Sequence, residues 1–299
     1  MGLYTKFPKS KQTIFLRNVK NKINITWDNL ALKVGKSKYT LFAYLREDCV
    51  MNYNVFLILI KLAKLRKSNF NYKLIEIKNE RKIIKIPKLN NSLAEFLGVL
   101  AGDGHLSGKP YEVSVTGHSK LDKHFFEVHL YDIVKNLFNV ESTIFDYGNN
   151  AKKFRIYSKK LVNYINFNFG HPIGKKKGKL NIPLTIFNNK KLLICYIRGL
   201  FDTDGSFYGR RNNEPVLEII SRDPNHLSQV LFALNKLGFN KANVYGKNLV
   251  IYNKYEIDKF FKEIIPANKR HTLKYNSFKS KGIIPKYKEI CVSSSMVRF

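Results

Sequence analysis

Two short segments with the same ending dominate the pattern of hydrophobic and polar positions along the chain. The segments are FLGVLAGDG, residues 96–104, and IRGLFDTDG, residues 197–205. Each is mainly apolar and ends at an acid followed by glycine, so each predicts a buried helix that stops at the acid. When Asp103 is aligned with Asp204, the two segments lie 101 residues apart.

Later positions keep nearly the same spacing. KGKLNIP ends at Pro183 and KSKGIIP ends at Pro285, which lie 80 and 81 residues beyond the two acids. Lys179 and Lys281 each precede the proline by four residues. Agreement at several positions predicts two fused copies of a unit of about 100 residues.

Each copy predicts the same order of elements. The apolar helix is followed by two extended segments, an amphipathic helix, two more extended segments and closing helices, in the order α-β-β-α-β-β-α. The extended segments are residues 105–118, 142–158, 206–222 and 242–253, and the amphipathic helices are residues 122–138 and 224–237. We therefore predict an α+β fold with two tandem repeats, residues 92–190 and 191–299, which are related by a pseudo-twofold axis and form antiparallel sheet.

Residues 1–70 predict a separate, small all-α domain. Within it, an apolar stripe at residues 30–34 is followed by Gly35 as a turn and by Ser37 as the N-cap of a second helix. The pattern resembles the repressor-type helix-turn-helix, and a plain helical hairpin is the alternative. The residues directed at the major groove would be Lys36, Lys38, Tyr39 and Thr40. Residues 71–91 predict either a linker or a β-hairpin.

The net charge of the chain indicates the kind of partner that it binds. The chain has 53 basic and 22 acidic residues, a formal net charge of +31. Such an excess indicates a polyanionic partner, because phosphates offset the mutual repulsion of the basic side chains. A solvated basic surface is the alternative. The first 90 residues hold 20 basic and 5 acidic residues, which supports a separate nucleic-acid-binding unit.

The cysteines and the apolar runs indicate the compartment. Cys49, Cys195 and Cys291 have neither disulfide nor zinc-site spacing. The N-terminus lacks the apolar region of a signal peptide, and no apolar run is long enough to span a membrane. We therefore expect a cytoplasmic protein with reduced thiols and no membrane partner.

The ends of the two apolar helices carry the candidate chemistry. Small residues one turn apart let two helix backbones approach closely. These residues are Gly98, Gly102, Gly199 and Thr203. If the helices pair, Asp103 and Asp204 emerge side by side, and two close carboxylates favour a divalent metal and a phosphodiester between them. The alternative is that each acid only caps its helix.

The two motifs resemble those of the LAGLIDADG homing endonucleases, in the single-chain form with two repeats, over residues 92–299. The resemblance implies a saddle-shaped antiparallel surface of two four-stranded sheets in the major groove of a long, asymmetric double-stranded DNA target. It also implies intron homing, by cleavage of both strands across the minor groove to leave 3′ overhangs. The implied cofactor is Mg²⁺ or another divalent cation such as Mn²⁺.

The resemblance also implies roles for individual residues. Asp103 and Asp204 would be the catalytic metal ligands, with the backbone carbonyls of Gly102 and Thr203 as further ligands. Lys179 and Lys281 match by spacing the basic residues of the active-site pocket.

The two copies differ at one acid of the motif. Copy one has Ala101 where copy two has Asp202. We therefore expect Asp202 to hydrogen-bond locally and to be dispensable.

Long polar or basic side chains on the strands and nearby loops would contact DNA. The candidates are Lys109, Tyr111, Lys120, Lys152, Lys153, Arg155, Lys175, Tyr208, Arg210, Arg211, Arg222, Lys247, Tyr252 and Lys269. Lys120 and Arg222 follow the second strands and are also pocket candidates. Lys175 and Lys269 end two similar segments, PIGK and PANK.

Three functions fit this sequence. The first is a site-specific double-strand DNA endonuclease, the second is a non-cleaving transcription regulator, and the third is a maturase that binds intron RNA. The presence of both acids favours the endonuclease, because a regulator needs neither. We expect a monomer, because the two repeats supply both half-sites.

Overall fold

The chain forms two compact units in the computed structural model, residues 1–81 and 82–299. The structure describes residues 2–77, 84–286 and 289. Each unit has its own hydrophobic core. Part of the predicted linker, residues 78–83, and Cys291 lie outside the described residues. Cys49 and Cys195 are free thiols.

The N-terminal unit combines helices with a small sheet. Its elements are β1 (Gly2–Lys6), α1 (Lys11–Ile23), α2 (Trp27–Val34), α3 (Lys38–Leu45), β2 (Met51–Asn52), α4 (Tyr53–Leu62) and β3 (Lys73–Ile77). The sequence predicted helices alone here, and the structure adds a three-stranded antiparallel sheet in the order β2-β1-β3. β3 pairs with the first strand of the chain, from Lys73 opposite Lys6 to Ile77 opposite Gly2. Pairing between residues 67 to 75 positions apart leaves no mark in the local alternation of residues 71–91, which therefore suggested a linker or a hairpin.

Helices α2 and α3 meet at a glycine turn. α2 ends at Gly35, which has a φ of 63°, a left-handed conformation that favours glycine. α3 begins after Ser37, whose hydroxyl accepts a hydrogen bond from the Thr40 N–H at 3.2 Å. Leu30 and Leu41 are buried in the core of the unit. The two predicted helices are therefore present, and α1 is an additional helix that packs against α3 and α4.

The C-terminal unit contains two repeats of the same elements. The first repeat comprises α5 (Asn91–Ala101), β4 (Gly104–Gly108), β5 (Tyr111–His118), α6 (Tyr131–Phe138), β6 (Thr143–Asp146), β7 (Ala151–Tyr157), α7 (Lys159–Phe169) and α8 (Leu184–Phe187). A π-helical segment, Phe125–Leu130, leads into α6. The second repeat comprises α9 (Lys190–Asp204), β8 (Gly205–Gly209), β9 (Pro215–Ile220), α10 (Pro224–Lys236), β10 (Ala242–Tyr245), β11 (Asn248–Ile251), α11 (Lys254–Glu263) and α12 (Lys269–Lys281).

Each repeat contributes one four-stranded antiparallel sheet. The strand orders are β4-β5-β7-β6 and β8-β9-β11-β10, which are equivalent. The two cores join into one cluster that includes buried residues of both α5 and α9. The predicted α+β class, the order of elements and the antiparallel sheets are confirmed. In the described part of the chain, no helix has both the length and the apolarity needed to span a bilayer.

Candidate active site at the ends of the paired helices

Helices α5 and α9 pack with their backbones in direct contact. A methyl group added to Gly98 would overlap the backbone carbonyl oxygen of Tyr196, and one added to Gly199 would overlap that of Glu95. The contact is reciprocal, as a pseudo-twofold axis between the helices requires. Only glycine permits this approach. The two glycines therefore set how closely α5 and α9 pack and how near their ends lie to each other.

The two motif acids emerge together at these ends. A Cβ built on Gly102 would overlap the Thr203 hydroxyl and lie 3.3 Å from Asp204 Cγ. Asp103 is exposed to solvent. Surrounding protein atoms nevertheless raise the pKa of Asp103 to about 6. Burial raises the pKa of Asp204, and the charge of Asp103 raises it further.

A lysine covers the end of α5. The Lys176 ammonium donates to the carbonyl oxygens of Leu100 at 3.2 Å and Ala101 at 3.0 Å, and also to that of Gly102. These carbonyls have no partner within the helix. Burial lowers the pKa of Lys176, while Asp204 and Asp103 oppose that shift. Lys176 therefore places a positive charge beside both acids.

An arginine covers the end of α9 in the same way. The Arg270 guanidinium donates to the carbonyl oxygens of Asp202 at 3.1 Å and Thr203 at 2.7 Å. Its charge acts on both Asp103 and Asp204 and opposes the rise in their pKa values. The site thus holds two acids and two basic groups, one of each from each repeat.

A cavity of about 650 Å³ opens beside Asp204. Basic side chains predominate among the charged residues that line it, namely Lys176, Lys177, Arg222, Arg270 and Lys274. Burial lowers the pKa of Lys274, and the neighbouring Arg270 charge lowers it further. A cavity with this lining suits an anionic group such as a phosphate.

Comparison with known proteins finds similarity to one family over part of the chain. Residues 191–265 match the model of the LAGLIDADG-like domain. The second repeat therefore contains a segment that is similar to the LAGLIDADG-like domain. Among curated proteins, a large polypeptide of the A-type ATP synthase of Pyrococcus abyssi (strain GE5 / Orsay) is 28% identical over 167 residues. That alignment covers 55% of this chain and 15% of the ATP synthase polypeptide.

Similar solved structures share low sequence identity with the chain. The homing endonuclease I-DmoI in complex with DNA and Mn is 20% identical, over 58% of this chain and 96% of that chain, with a TM-score of 0.43. The N-terminal LAGLIDADG domain of DUF199/WhiA is 18% identical, over 62% and 88%, with a TM-score of 0.43. A mutant of I-SmaMI is 13% identical, over 71% and 100%, with a TM-score of 0.41.

The basic groups beside Asp103 and Asp204 are not the predicted ones. Lys179 and Lys281 are exposed, and neither lines the cavity. Lys179 lies in a turn, and Lys281 ends α12, about 16 Å along the helix from Arg270. The segments PIGK and PANK held the missing signal, because Lys176 and Arg270 are the residues that directly follow them.

Asp202 has a larger role than the sequence suggested. It is 1% exposed, and its carboxylate accepts from the backbone N–H groups of Ala267 at 3.0 Å and Asn268 at 2.9 Å. These partners lie 65 and 66 residues later in the chain, so the interaction is not local. Burial raises the pKa of Asp202 to about 7. Asp202 thus anchors the loop that leads to Arg270.

The first sheet divides its predicted DNA contacts between two faces. Lys153 and Arg155 lie on the face away from the helices. There Lys153 pairs with Glu112 at 2.7 Å, and Arg155 packs over the Phe145 and Tyr157 rings at 4.6 and 4.7 Å. Lys152 points to the helix side, is 10% exposed and pairs with Glu127 at 2.8 Å. Consecutive strand residues face opposite ways, so Lys152 and Lys153 cannot both contact DNA from this sheet. Lys152 is therefore removed from the predicted interface.

The second sheet has fewer basic groups on the corresponding face. Tyr208 lies opposite the buried Val216 in the strand register, and Val250 and Glu218 share that face. The Arg210 guanidinium packs over the Tyr252 ring at 4.7 Å at the edge of the sheet.

The other predicted contacts lie in loops and at element ends. The exposed ones are Lys36, Lys38, Tyr39, Lys109, Lys120, Lys175, Arg211, Arg222, Lys247 and Lys269, and Tyr111 is half-buried. Lys38 pairs with Asp28 at 2.9 Å.

The donor set of the site suits a hard divalent cation. Within residues 2–77, 84–286 and 289, no group of three or more His, Cys, Asp or Glu side chains could hold a metal. A cation here would rely on the Asp103 and Asp204 carboxylates and on the Gly102 and Thr203 carbonyls. All four are oxygen donors, which magnesium and manganese accept. Desolvation raises the pKa values of both acids, and the charge of Asp103 adds to the rise for Asp204, so a bound cation would oppose both shifts.

Proposed function

We propose that the protein is a site-specific double-strand DNA endonuclease that requires a divalent cation. The observation that carries the proposal is the pairing of Asp103 and Asp204 at the abutting ends of α5 and α9, with Lys176 and Arg270 beside them. Two equivalent acids related by a pseudo-twofold axis match the symmetry of two antiparallel DNA strands.

The residues of the site divide into two roles. Asp103 and Asp204, with the Gly102 and Thr203 carbonyls, would hold the cation, which activates water and stabilises the leaving oxygen when bound. The positive groups of the cavity offset the phosphate charge and orient the phosphodiester. On the face of the first sheet away from the helices, Lys153 and Arg155 contact the duplex. The net charge of +31 favours that association.

The proposal is tested by selecting cleaved sequences from randomised duplex DNA with Mg²⁺. On the selected target, D103N and D204N should each abolish cleavage of both strands and keep binding within about threefold, because each removes a ligand and a negative charge. Asp132→Asn makes the same chemical change at an exposed position on α6 and is the control. Undiminished cleavage by either site variant contradicts the assignment.

A non-cleaving regulator is the second candidate, and one observation favours it. Lys176 and Arg270 donate hydrogen bonds to the Gly102 and Thr203 carbonyls, two of the oxygens that a cation would use. Site-specific binding by the wild type without cleavage in Mg²⁺ or Mn²⁺ would establish this alternative. Tighter binding of intron RNA than of any selected duplex would instead favour the maturase.

The N-terminal unit would extend the DNA contact as a helix-turn-helix. Tyr39 is 77% exposed at the start of α3, and Lys36 lies in the turn before it. K36A should therefore weaken binding on all sequences and lower the salt slope of log Kd by about 1. Lys61→Ala, on α4, is a control for general charge. An unchanged salt slope in K36A contradicts this role.

A further inference from the structure

A second pair of acids follows the motif acids at equal spacing. Asp122 lies 19 residues after Asp103, and Asp223 lies 19 residues after Asp204. Their exposures are 3% and 2%, although both precede a helix at the edge of the site. Buried carboxylates are costly unless they are bonded.

Asp122 reaches from the first repeat to the second. Its carboxylate contacts the Arg270 guanidinium at 3.0 Å and accepts from the Asn268 side-chain amide at 2.7 Å. Within its own repeat it accepts only from the His118 N–H at 2.7 Å among the bonds described. Asp122 therefore fixes the side chain that covers the end of α9.

Asp223 reaches in the opposite direction. Its carboxylate accepts from the backbone N–H of Gly178 at 2.7 Å and of Leu180 at 3.3 Å, both in the first repeat. It also caps α10 through the N–H groups of Asn225 and His226. Gly178 lies two residues after Lys176, so Asp223 fixes the loop that carries the lysine.

We infer that Asp122 and Asp223 are positioning residues, each of which holds the basic group of the opposite repeat in the active site. This inference rests on the proposed endonuclease function. Each half of the site is then completed by the other repeat, and the two halves can be impaired one at a time. Asp122 binds the charged group itself, whereas Asp223 binds only the backbone of the loop.

The test compares D122N and D223N on the selected target with a different label on each strand. Each variant should cut one strand about 10–100-fold more slowly, because a misplaced catalytic group costs that much. The other strand should change by less than about threefold, and the slowed strand should differ between the two variants. D132N is the matched control and should cut both strands at the wild-type rate.

A general loss of stability cannot produce this pattern, because it would slow both strands together. Equal slowing of both strands in both variants, or no change, overturns the inference. If D122N does not fold, Asn268→Ser removes one of the two contacts and keeps a capping side chain for α12. It should slow the same strand to a smaller extent, and equal slowing of both strands would again overturn the inference.

Amide hydrogen exchange separates this inference from the proposed function. Exchange in residues 176–180 should accelerate in D223N and exchange in residues 267–270 should accelerate in D122N, with or without DNA. If the wild type cuts no DNA and these changes occur, the endonuclease proposal fails while the contacts between repeats stand. If the wild type cuts DNA and neither exchange nor strand preference changes, the inference alone fails.

Discussion

The two repeats of the C-terminal unit share the backbone of their site and differ in the side chains around it. Gly98 and Gly199 make the same contact, and a basic group binds the last carbonyl oxygens of each helix. The covering group is a loop lysine in one repeat and Arg270 of α12 in the other. Backbone contact therefore imposes the symmetry, while charge balance is reached by different residues.

The buried polar side chains of α5 and α9 also differ between the two repeats. In the first repeat, Glu95 on α5 bonds to His129 at 2.5 Å and pairs with Arg198 at 3.2 Å. The equivalent of Glu95 in α9 is Tyr196, whose hydroxyl bonds to His226 at 3.0 Å. Glu95 thus adds charges where the second repeat keeps a neutral pair. The two repeats should respond to pH in opposite directions as a result.

The glycine contact should give the largest effect. Gly98→Ala and Gly199→Ala should each destabilise the C-terminal unit by about 3 kcal/mol, because the added methyl meets a backbone carbonyl that cannot move away alone. Urea unfolding measures both, and similar losses would confirm equivalence. Gly108→Ala is the control, because its methyl would meet only the Ile173 side chain at 3.4 Å. A loss confined to one of the two helices would break the symmetry argument.

Asp202 tests whether the second repeat depends on an acid that the first repeat lacks. D202A should lower the free energy of unfolding by about 1–3 kcal/mol, since two buried backbone N–H groups lose their acceptor. It should also slow cleavage, because the loop before Arg270 loses its anchor. Urea unfolding and the cleavage rate measure the two effects. Ala101→Ser, at the equivalent position of α5, should affect both much less, and equal effects would remove the proposed difference between the repeats.

The two histidines give opposite pH responses. Burial lowers the pKa of His226 to about 4, so the wild type loses stability as the pH falls from 6.5 towards 4, while the unfolded chain takes up the proton. Burial opposes protonation of His129 too, but the hydrogen bond and charge of Glu95 raise its pKa. Its stabilisation is therefore complete below pH 6.5 and is lost as the pH rises through the raised pKa.

Replacing each histidine with the residue at the equivalent position of the other repeat isolates its effect on the pH dependence of stability. H226F should cost about 1–3 kcal/mol at pH 7.5, because the Tyr196 hydroxyl loses its partner. Between about pH 6.5 and 4 that cost should shrink by at most about 3 kcal/mol. H129V should cost most below about pH 6.5 and progressively less at higher pH. Urea unfolding of each variant against the wild type measures these differences, and the same sign for both would contradict the assignment.

Substitutions on the two faces of the first sheet should give the smallest effect. R155A should weaken binding to the selected duplex by about 1–3 kcal/mol if the guanidinium reads a base edge. K152A should leave the affinity within about twofold, since Lys152 pairs with Glu127 on the helix side. Fluorescence anisotropy at fixed salt compares the two. A larger loss for K152A would show that the strand register is misassigned.

Much of the site could be predicted because the repeats carry the same sequence marks. Asp103, Asp204 and the small residues of the paired helices were recognisable from spacing and residue type. Lys176 and Arg270 were missed, because the loops before them differ in length and one group is a lysine while the other is an arginine. Asp122 and Asp223 have equal spacing in the chain, but their partners lie in the opposite repeat, and no local pattern reports such contacts.

The sequence by itself determined the two repeats, their α-β-β-α-β-β-α order and the position of the acids, since each depends on local periodicity and on spacing along the chain. The tertiary structure decided which basic groups reach the acids, which face Lys152 occupies and that β1 pairs with β3. These features depend on segments tens of residues apart or on opposite repeats. Their geometry is set by packing in the core, where the approach of α5 to α9 fixes the distance between every group at the site.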